Sequence, residues 1–69
     1  MPLAPHQERV VAELADLNVK IAALRKFLGT DTYASLDPSE RSRLDRQLGA
    51  MTIYSDILTE RIEAFTPKD

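Results

Sequence analysis

The side chains of this chain that are best able to bind a ligand are three separated cations, Arg9, Lys20 and Arg61. They lie in stretches of sequence where acidic residues otherwise prevail. In a symmetric assembly, one arginine per subunit becomes a ring of arginines near the axis. Because guanidinium groups bond phosphate oxygens in a planar fork, such a ring binds phosphate strongly. The cations therefore point to the binding of a phosphate-bearing anion.

A second interpretation of these residues is open at this stage. Arg61 can form an ordinary surface ion pair with Asp56 or Glu60, and the sequence by itself favours this because exposed pairs are common. His6 is also ambiguous. It is either an exposed residue of an opening helical turn or a ring that stacks on a base.

Catalytic and metal-binding patterns are absent from the sequence. There is no cysteine and a single histidine, so neither a thiolate nor the Glu-x-x-His pairs of di-metal helical proteins can be assembled. The serines have no histidine suited to activate them. The two glycines, Gly29 and Gly49, do not form a phosphate-binding loop. We expect no enzyme activity, no metal site and no cofactor.

Two apolar stripes must position the cations. Their members alternate at steps of four and three, which places each set along one side of an α-helix with a period of about 3.5 residues. The first stripe is Val10, Leu14, Leu17, Ile21, Leu24 and Leu28. The second stripe is Leu44, Leu48, Met51, Ser55, Leu58, Ile62 and Phe65, with Ser55 as its one interruption. The predicted fold is all-α, an antiparallel two-helix hairpin.

Proline, glycine and capping residues set the predicted boundaries of this single domain, 1–69. Gly29 is expected to stop the first helix, and Thr66-Pro67 the second. Asp37, Pro38 and Glu40 have the spacing of a capping box, with Pro38 at the first helical position. The predicted segments are an N-terminal arm (1–5), helix one (6–28, beginning at Pro5 or His6), a connection (29–37), helix two (38–65) and a tail (66–69).

Apolar residues outside the two stripes predict self-association. Helix two has a further stripe of Ala50, Ile53, Tyr54, Ile57 and Ala64, and helix one a lesser stripe of Val11, Ala15, Ala22 and Ala23. A helix that is apolar on two sides needs two partners, and small chains without disulfides are marginal as monomers. We therefore expect a compact symmetric oligomer, with its ligand pockets formed between copies.

Charge and hydropathy limit the partners. The formal net charge is −2 and the isoelectric point is about 5.3, which argues against a duplex-DNA binder. The sequence shows neither an apolar run long enough for a membrane span nor a signal peptide, and the lack of cysteine fits a reducing compartment. The expected location is the cytoplasm, with neither DNA nor a membrane as partner.

Two runs of this sequence resemble small bacteriophage proteins of the anti-CBASS cyclic-oligonucleotide sponge family. They are residues 47–62 (QLGAMTIYSDILTERI) and 5–13 (PHQERVVAE), with Lys20-Ile21 and Phe27-Leu28 between them. The resemblance implies helical hairpins assembled as a hexamer, a trimer of dimers. It also implies sequestration, without cleavage, of cyclic dinucleotides such as cGAMP, and in some members cyclic trinucleotides, which keeps the effectors of host defence silent.

The resemblance also implies a set of ligand-binding residues. Lys20 matches a phosphate-binding lysine of the dinucleotide pocket, and Arg61-Ile62 matches an Arg-Ile pair of the trinucleotide pocket. Where the family has a base-stacking aromatic residue, this chain has Pro5 or His6, a departure that puts its affinity or base preference for dinucleotides in doubt. With Arg9, these residues form the candidate site.

Two other functions are left open by the sequence. The first is a structural or protein-interaction coiled-coil adaptor of phage origin, which the same apolar stripes would serve. The second is a DNA-binding regulator. The acidic balance and the lack of a compact helix-turn-helix argue against this second alternative.

Overall fold

The computed structural model describes residues 2–65 and is built from helices. In chain order these are α1 (Pro5–Leu28), α2 (Asp31–Ala34) and α3 (Pro38–Phe65). No strand occurs among these residues, so the predicted all-α class is confirmed. The predicted stop at Thr66-Pro67 and the tail 66–69 lie outside the described residues.

The core is a single seam between α1 and α3. Val10, Leu17 and Ile21 of α1 are buried against Leu58 of α3, which is the most deeply buried side chain of the described residues. Every other residue of the two predicted stripes, Ser55 included, is half-buried. The molecule measures 50 × 21 × 15 Å, an elongated shape in which the core is one layer of side chains thick.

The start of α1 lies one residue earlier than the predicted 6–28. Pro5 occupies the first helical position, where its missing N–H costs nothing and its fixed φ suits the helix. The backbone N–H of Ala4 donates to Oε1 of Gln7 at 2.9 Å. This hydrogen bond satisfies the N–H of Ala4, the residue just before the helix. Pro5 is therefore the first residue of α1 and does not belong to the arm.

The end of α1 falls at Leu28, but Gly29 does not act through a left-handed conformation. Its φ is −89°, and its N–H donates to the carbonyl of Lys26 at 3.2 Å. The hydroxyl of Thr30 donates to the carbonyl of Phe27 at 2.6 Å. A tightened last turn and a threonine hydroxyl therefore satisfy carbonyls that a glycine cap would otherwise serve.

The connection contains a short helix, so the prediction of two helices is corrected to three. The four-residue helix α2 begins because Oγ1 of Thr30 accepts a hydrogen bond from the N–H of Tyr33 at 3.2 Å. The Tyr33 ring packs edge-on against Phe27 with centroids 6.2 Å apart, and its hydroxyl donates to Oδ1 of Asp45 at 2.7 Å. This hydrogen bond is the main reason why the pKa of Tyr33 is raised.

The capping box predicted for the start of α3 forms only in part. Oδ2 of Asp37 accepts from the N–H of Ser39 at 3.0 Å, as expected of a capping carboxylate. Glu40 instead pairs with Arg43, whose Nε lies 2.8 Å from Oε1. A charged partner one turn ahead competes for the Glu40 carboxylate, so the reciprocal half of the box is missing.

Ser55 links the two long helices. Its hydroxyl donates to Oδ1 of Asn18 on α1 at 3.1 Å. This polar pair interrupts the apolar seam and fixes which residues of α3 lie opposite which residues of α1. The register brings Tyr54, next to Ser55, to the level of Asn18.

Apolar side chains remain on the outside of the hairpin. Ile53 is 63% exposed, Ile57 48% and Tyr54 42%, all on the predicted further stripe of α3. On α1, Val19 is 69% exposed and Val11 40%. None of the described helices is both long enough and apolar enough to span a membrane. Two sides of a narrow molecule thus present apolar surface to water.

Candidate functional site

An open groove of about 510 Å³ lies between α1 and α3. Six of its lining residues come from α1 and one from α3. They are Arg9, Ala12, Glu13, Asp16, Leu17, Lys20 and Tyr54. The groove combines cations, carboxylates, an aromatic ring and a small apolar floor, a composition that suits a polar ligand with flat rings.

Helical spacing places the charged side chains of α1 along one wall. Arg9, Glu13, Asp16 and Lys20 follow each other at steps of four, three and four, and such steps keep side chains on one face. At 1.5 Å per residue, Arg9 and Lys20 are about 16 Å apart along the axis. The wall therefore has a cation at each end and two carboxylates in the middle.

The opposite wall is supplied by Tyr54 of α3. Its side chain is 42% exposed, so part of the ring is available to a ligand. Sequence reasoning placed Tyr54 in the further apolar stripe and did not assign it to the site. The signal that could have found it is its place next to Ser55, at the border between that stripe and the seam.

The charged residues of the groove form no ion pair with each other among the described residues. Arg9 with Glu13, and Asp16 with Lys20, have the i,i+4 spacing of helical ion pairs. Within residues 2–65, however, the ion pair closer than 4.0 Å is the one between Arg43 and Glu40. The two cations and two carboxylates thus keep hydrogen-bonding capacity for a ligand.

The predicted site residues divide into two sets. Arg9 and Lys20 share the groove, whereas Pro5, His6 and Arg61 are exposed and do not line it. Arg61 follows Tyr54 by seven residues, so it lies on the same face of α3, about 10 Å further along the axis. Over the described range it makes no ion pair within 4.0 Å with Asp56 or Glu60. The surface ion pair considered for Arg61 is therefore not formed among the described residues.

No metal-binding cluster is found in the described part of the chain. Among residues 2–65, no group of three or more histidine or carboxylate side chains could hold an ion. The groove contributes two carboxylates, Glu13 and Asp16, between two cations. The groove offers donors for phosphate oxygens, acceptors for N–H groups and an aromatic face.

Fold and groove together define a small all-α protein with an open groove of mixed charge between two long helices. Comparison with known families matches residues 4–64 to Sequestin. The chain belongs to the Sequestin family, whose name is consistent with a sequestering function. Neither the curated proteins nor the solved structures provide a match.

Proposed function

We propose that this protein sequesters cyclic oligonucleotide second messengers without cleaving them. The observation that carries the proposal is the groove that Arg9 and Lys20 line together with Tyr54. A cyclic dinucleotide has two phosphates and two flat bases. Cationic side chains bind the phosphates, and an aromatic face stacks on a base. Membership in a family named for sequestration supports the same conclusion.

The proposal includes self-association. The groove is open on one hairpin, and Ile53 and Ile57 are exposed beside Tyr54 on the same helix. A second copy that covers this apolar stripe would also close the groove and shield its charges from water. The resemblance to phage sponges implies that this homo-oligomer is a hexamer. It would contain pockets that a single subunit lacks.

The setting we propose is the cytoplasm of a bacterium infected by a phage. There, sequestration of cyclic dinucleotides such as cGAMP, or of cyclic trinucleotides, would block activation of CBASS effectors. This role needs abundance and tight binding rather than turnover, so neither catalytic residues nor a cofactor are required. DNA and membranes are not among the proposed partners.

Replacing Lys20 with alanine is expected to weaken cyclic dinucleotide binding about 10- to 100-fold, since a charge-assisted hydrogen bond contributes about 1.5–3 kcal/mol. Isothermal calorimetry with cGAMP measures the effect. The matched control is Lys26→Ala, which removes the same charge from an exposed position of α1 that does not line the groove. Equal affinities for the two variants would remove Lys20 from the site.

A separate prediction concerns Arg61. We assign Arg61 to cyclic trinucleotides because the resemblance to phage sponges matches Arg61-Ile62 to the Arg-Ile pair of the trinucleotide pocket. Arg61 is exposed and forms no ion pair among the described residues, which is compatible with this role. The Arg61→Ala variant should lose about tenfold or more in trinucleotide affinity, as a charged hydrogen-bond donor is removed. Dinucleotide affinity should change little. Arg46→Ala, an exposed arginine nearer the start of α3, is the control, and a matching loss there would show a general effect of charge.

A protein-interaction adaptor is the second candidate. It is favoured by the exposed stripe around Ile53, which would suit a partner helix as well as a second copy. The two functions are separated by a thermal-shift screen against cyclic di- and trinucleotides. A monodisperse oligomer that responds to none of them would favour the adaptor.

A further inference from the structure

The side chain of Arg41 contains a hydrogen-bond donor that the folded chain leaves unused. Its Nε atom is shielded from water and has no hydrogen-bond partner. Over residues 2–65, Arg41 also forms no ion pair within 4.0 Å. A buried donor without an acceptor opposes folding about as strongly as a hydrogen bond favours it, and almost all such groups in proteins are paired. The unpaired Nε therefore destabilises the conformation in which it is buried.

Two carboxylates lie one helical turn from Arg41, and both have other partners. Asp37, four residues before it, accepts from the N–H of Ser39 through Oδ2 and so caps α3. Asp45, four residues after it, accepts from the Tyr33 hydroxyl through Oδ1 at 2.7 Å. Residues at positions i and i+4 are neighbours on a helix surface, and opposite charges there attract each other. The Tyr33 hydroxyl and the Arg41 guanidinium thus compete for Asp45.

The contact between Tyr33 and Asp45 is the hydrogen bond that joins α2 to α3 in the described part of the chain. A single turn such as α2 has little stability of its own, because helix nucleation is unfavourable. The pKa of Tyr33 is raised first by this hydrogen bond, while the charge of Arg41 acts in the opposite direction, so the guanidinium lies near the phenol. Loss of the hydrogen bond would release α2 and leave the Asp45 carboxylate free, one turn from Arg41.

We propose that Asp45 exchanges between two partners, and that this exchange makes α2 a strap that opens and closes at the connected end of the hairpin. In the closed state, which the structure shows, Asp45 holds Tyr33 and the Nε of Arg41 is unpaired. In the open state, Asp45 pairs with Arg41 along α3, and α2 is detached from α3. Because an ion pair replaces the hydrogen bond that is lost, the open state is populated beside the closed one.

Amide hydrogen exchange of the full chain, measured by NMR, tests the proposal. The N–H groups of Ala34 and Ser35 donate to carbonyls one turn back, and they exchange when α2 opens. The Tyr33→Phe variant keeps the ring that packs on Phe27 but removes the hydroxyl, so these amides should exchange about fivefold faster or more. The amide of Leu58 should keep its rate, which would show that the seam between α1 and α3 stays folded.

The Arg41→Met variant is the sharper test, because the proposal predicts an effect of the opposite sign. Methionine keeps an unbranched apolar stem but has neither the unpaired donor nor the competing charge. The strap α2 should therefore open less often, and its amides should exchange about fivefold more slowly. A merely structural role of Arg41 in packing would make them exchange faster.

The matched control is Arg46→Met, the same change at an exposed position of α3 that is not one turn from Asp45. It should leave the exchange of the α2 amides unchanged. Exchange at the wild-type rate or faster in Arg41→Met would overturn the proposal. An unchanged rate in Tyr33→Phe would overturn it as well, because the hydroxyl would then not hold α2 against α3.

Discussion

Shortening Leu58 to alanine is expected to destabilise the hairpin by about 2–5 kcal/mol, the range measured for buried leucines. Leu58 is 0% exposed and is the residue of α3 that the buried side chains of α1 surround. A core one layer thick has few other contacts to compensate for the cavity. Since small domains have only a few kcal/mol of stability in total, much of the variant should be unfolded.

Urea unfolding followed by circular dichroism measures this effect, at one fixed protein concentration because the proposed assembly would contribute to stability. Val19→Ala is the control, because it shortens an apolar side chain that is 69% exposed. That change should shift the free energy of unfolding by less than about 0.5 kcal/mol. If the two variants unfolded at the same urea concentration, the seam between α1 and α3 would not be the core of the protein.

The Ile57→Asp variant should dissociate the proposed homo-oligomer while the hairpin stays folded. Ile57 precedes Leu58, but it points outward and is 48% exposed on the single chain. In an oligomer that covers the apolar stripe, an aspartate at this position would be a buried charge without a partner, which is strongly destabilising. The mass measured by light scattering should fall to that of smaller species, and ligand affinity should fall with it if the pockets lie between copies.

Thr59→Asp provides the matched control for this experiment. Thr59 is also exposed on α3, but it lies about 200° around the helix from Ile57. The Thr59→Asp substitution adds the same charge to a polar side of the helix, and it should leave the mass measured by light scattering unchanged. An Ile57→Asp protein that kept the full mass of the assembly would place the contact between copies on another surface.

Much of the fold could be predicted from the sequence because the signals are long and periodic. The alternation of four and three steps extends over five turns in α1 and six in α3, and each of its positions is buried or half-buried. The exposed stripe around Ile53 follows from the same periodicity. Asp37 and Pro38 marked the start of α3 because capping depends on neighbouring residues alone.

The rest depended on contacts that no local pattern contains. The helix α2 is a single turn, too short to show a period, and it begins at a hydroxyl of Thr30. Glu40 had two possible partners, and its pairing with Arg43 is decided by side-chain geometry. The hydrogen bond between Ser55 and Asn18 joins residues 37 positions apart.

The candidate site was predicted in the same uneven way. Lys20 and Arg9 were identified because a cation among acidic residues can be recognised from the sequence alone. Tyr54 was not predicted to line the groove, since its place there depends on the register of one helix against the other. Pro5 and His6 occupy the place where the family has its base-stacking aromatic residue, and only the His6 ring was considered able to stack on a base. Both lie outside the lining of the groove, and Tyr54 offers an aromatic ring in their place.

The central claim is that copies of this hairpin together hold cyclic oligonucleotides and do not cleave them. Native mass spectrometry of the full chain mixed with cGAMP tests the claim most directly, because one spectrum reports subunit number, bound ligand and ligand mass. We predict a homo-oligomer carrying several ligands, each released on denaturation with its mass unchanged. A monomer without ligand, or an oligomer that releases linear fragments, would contradict the account.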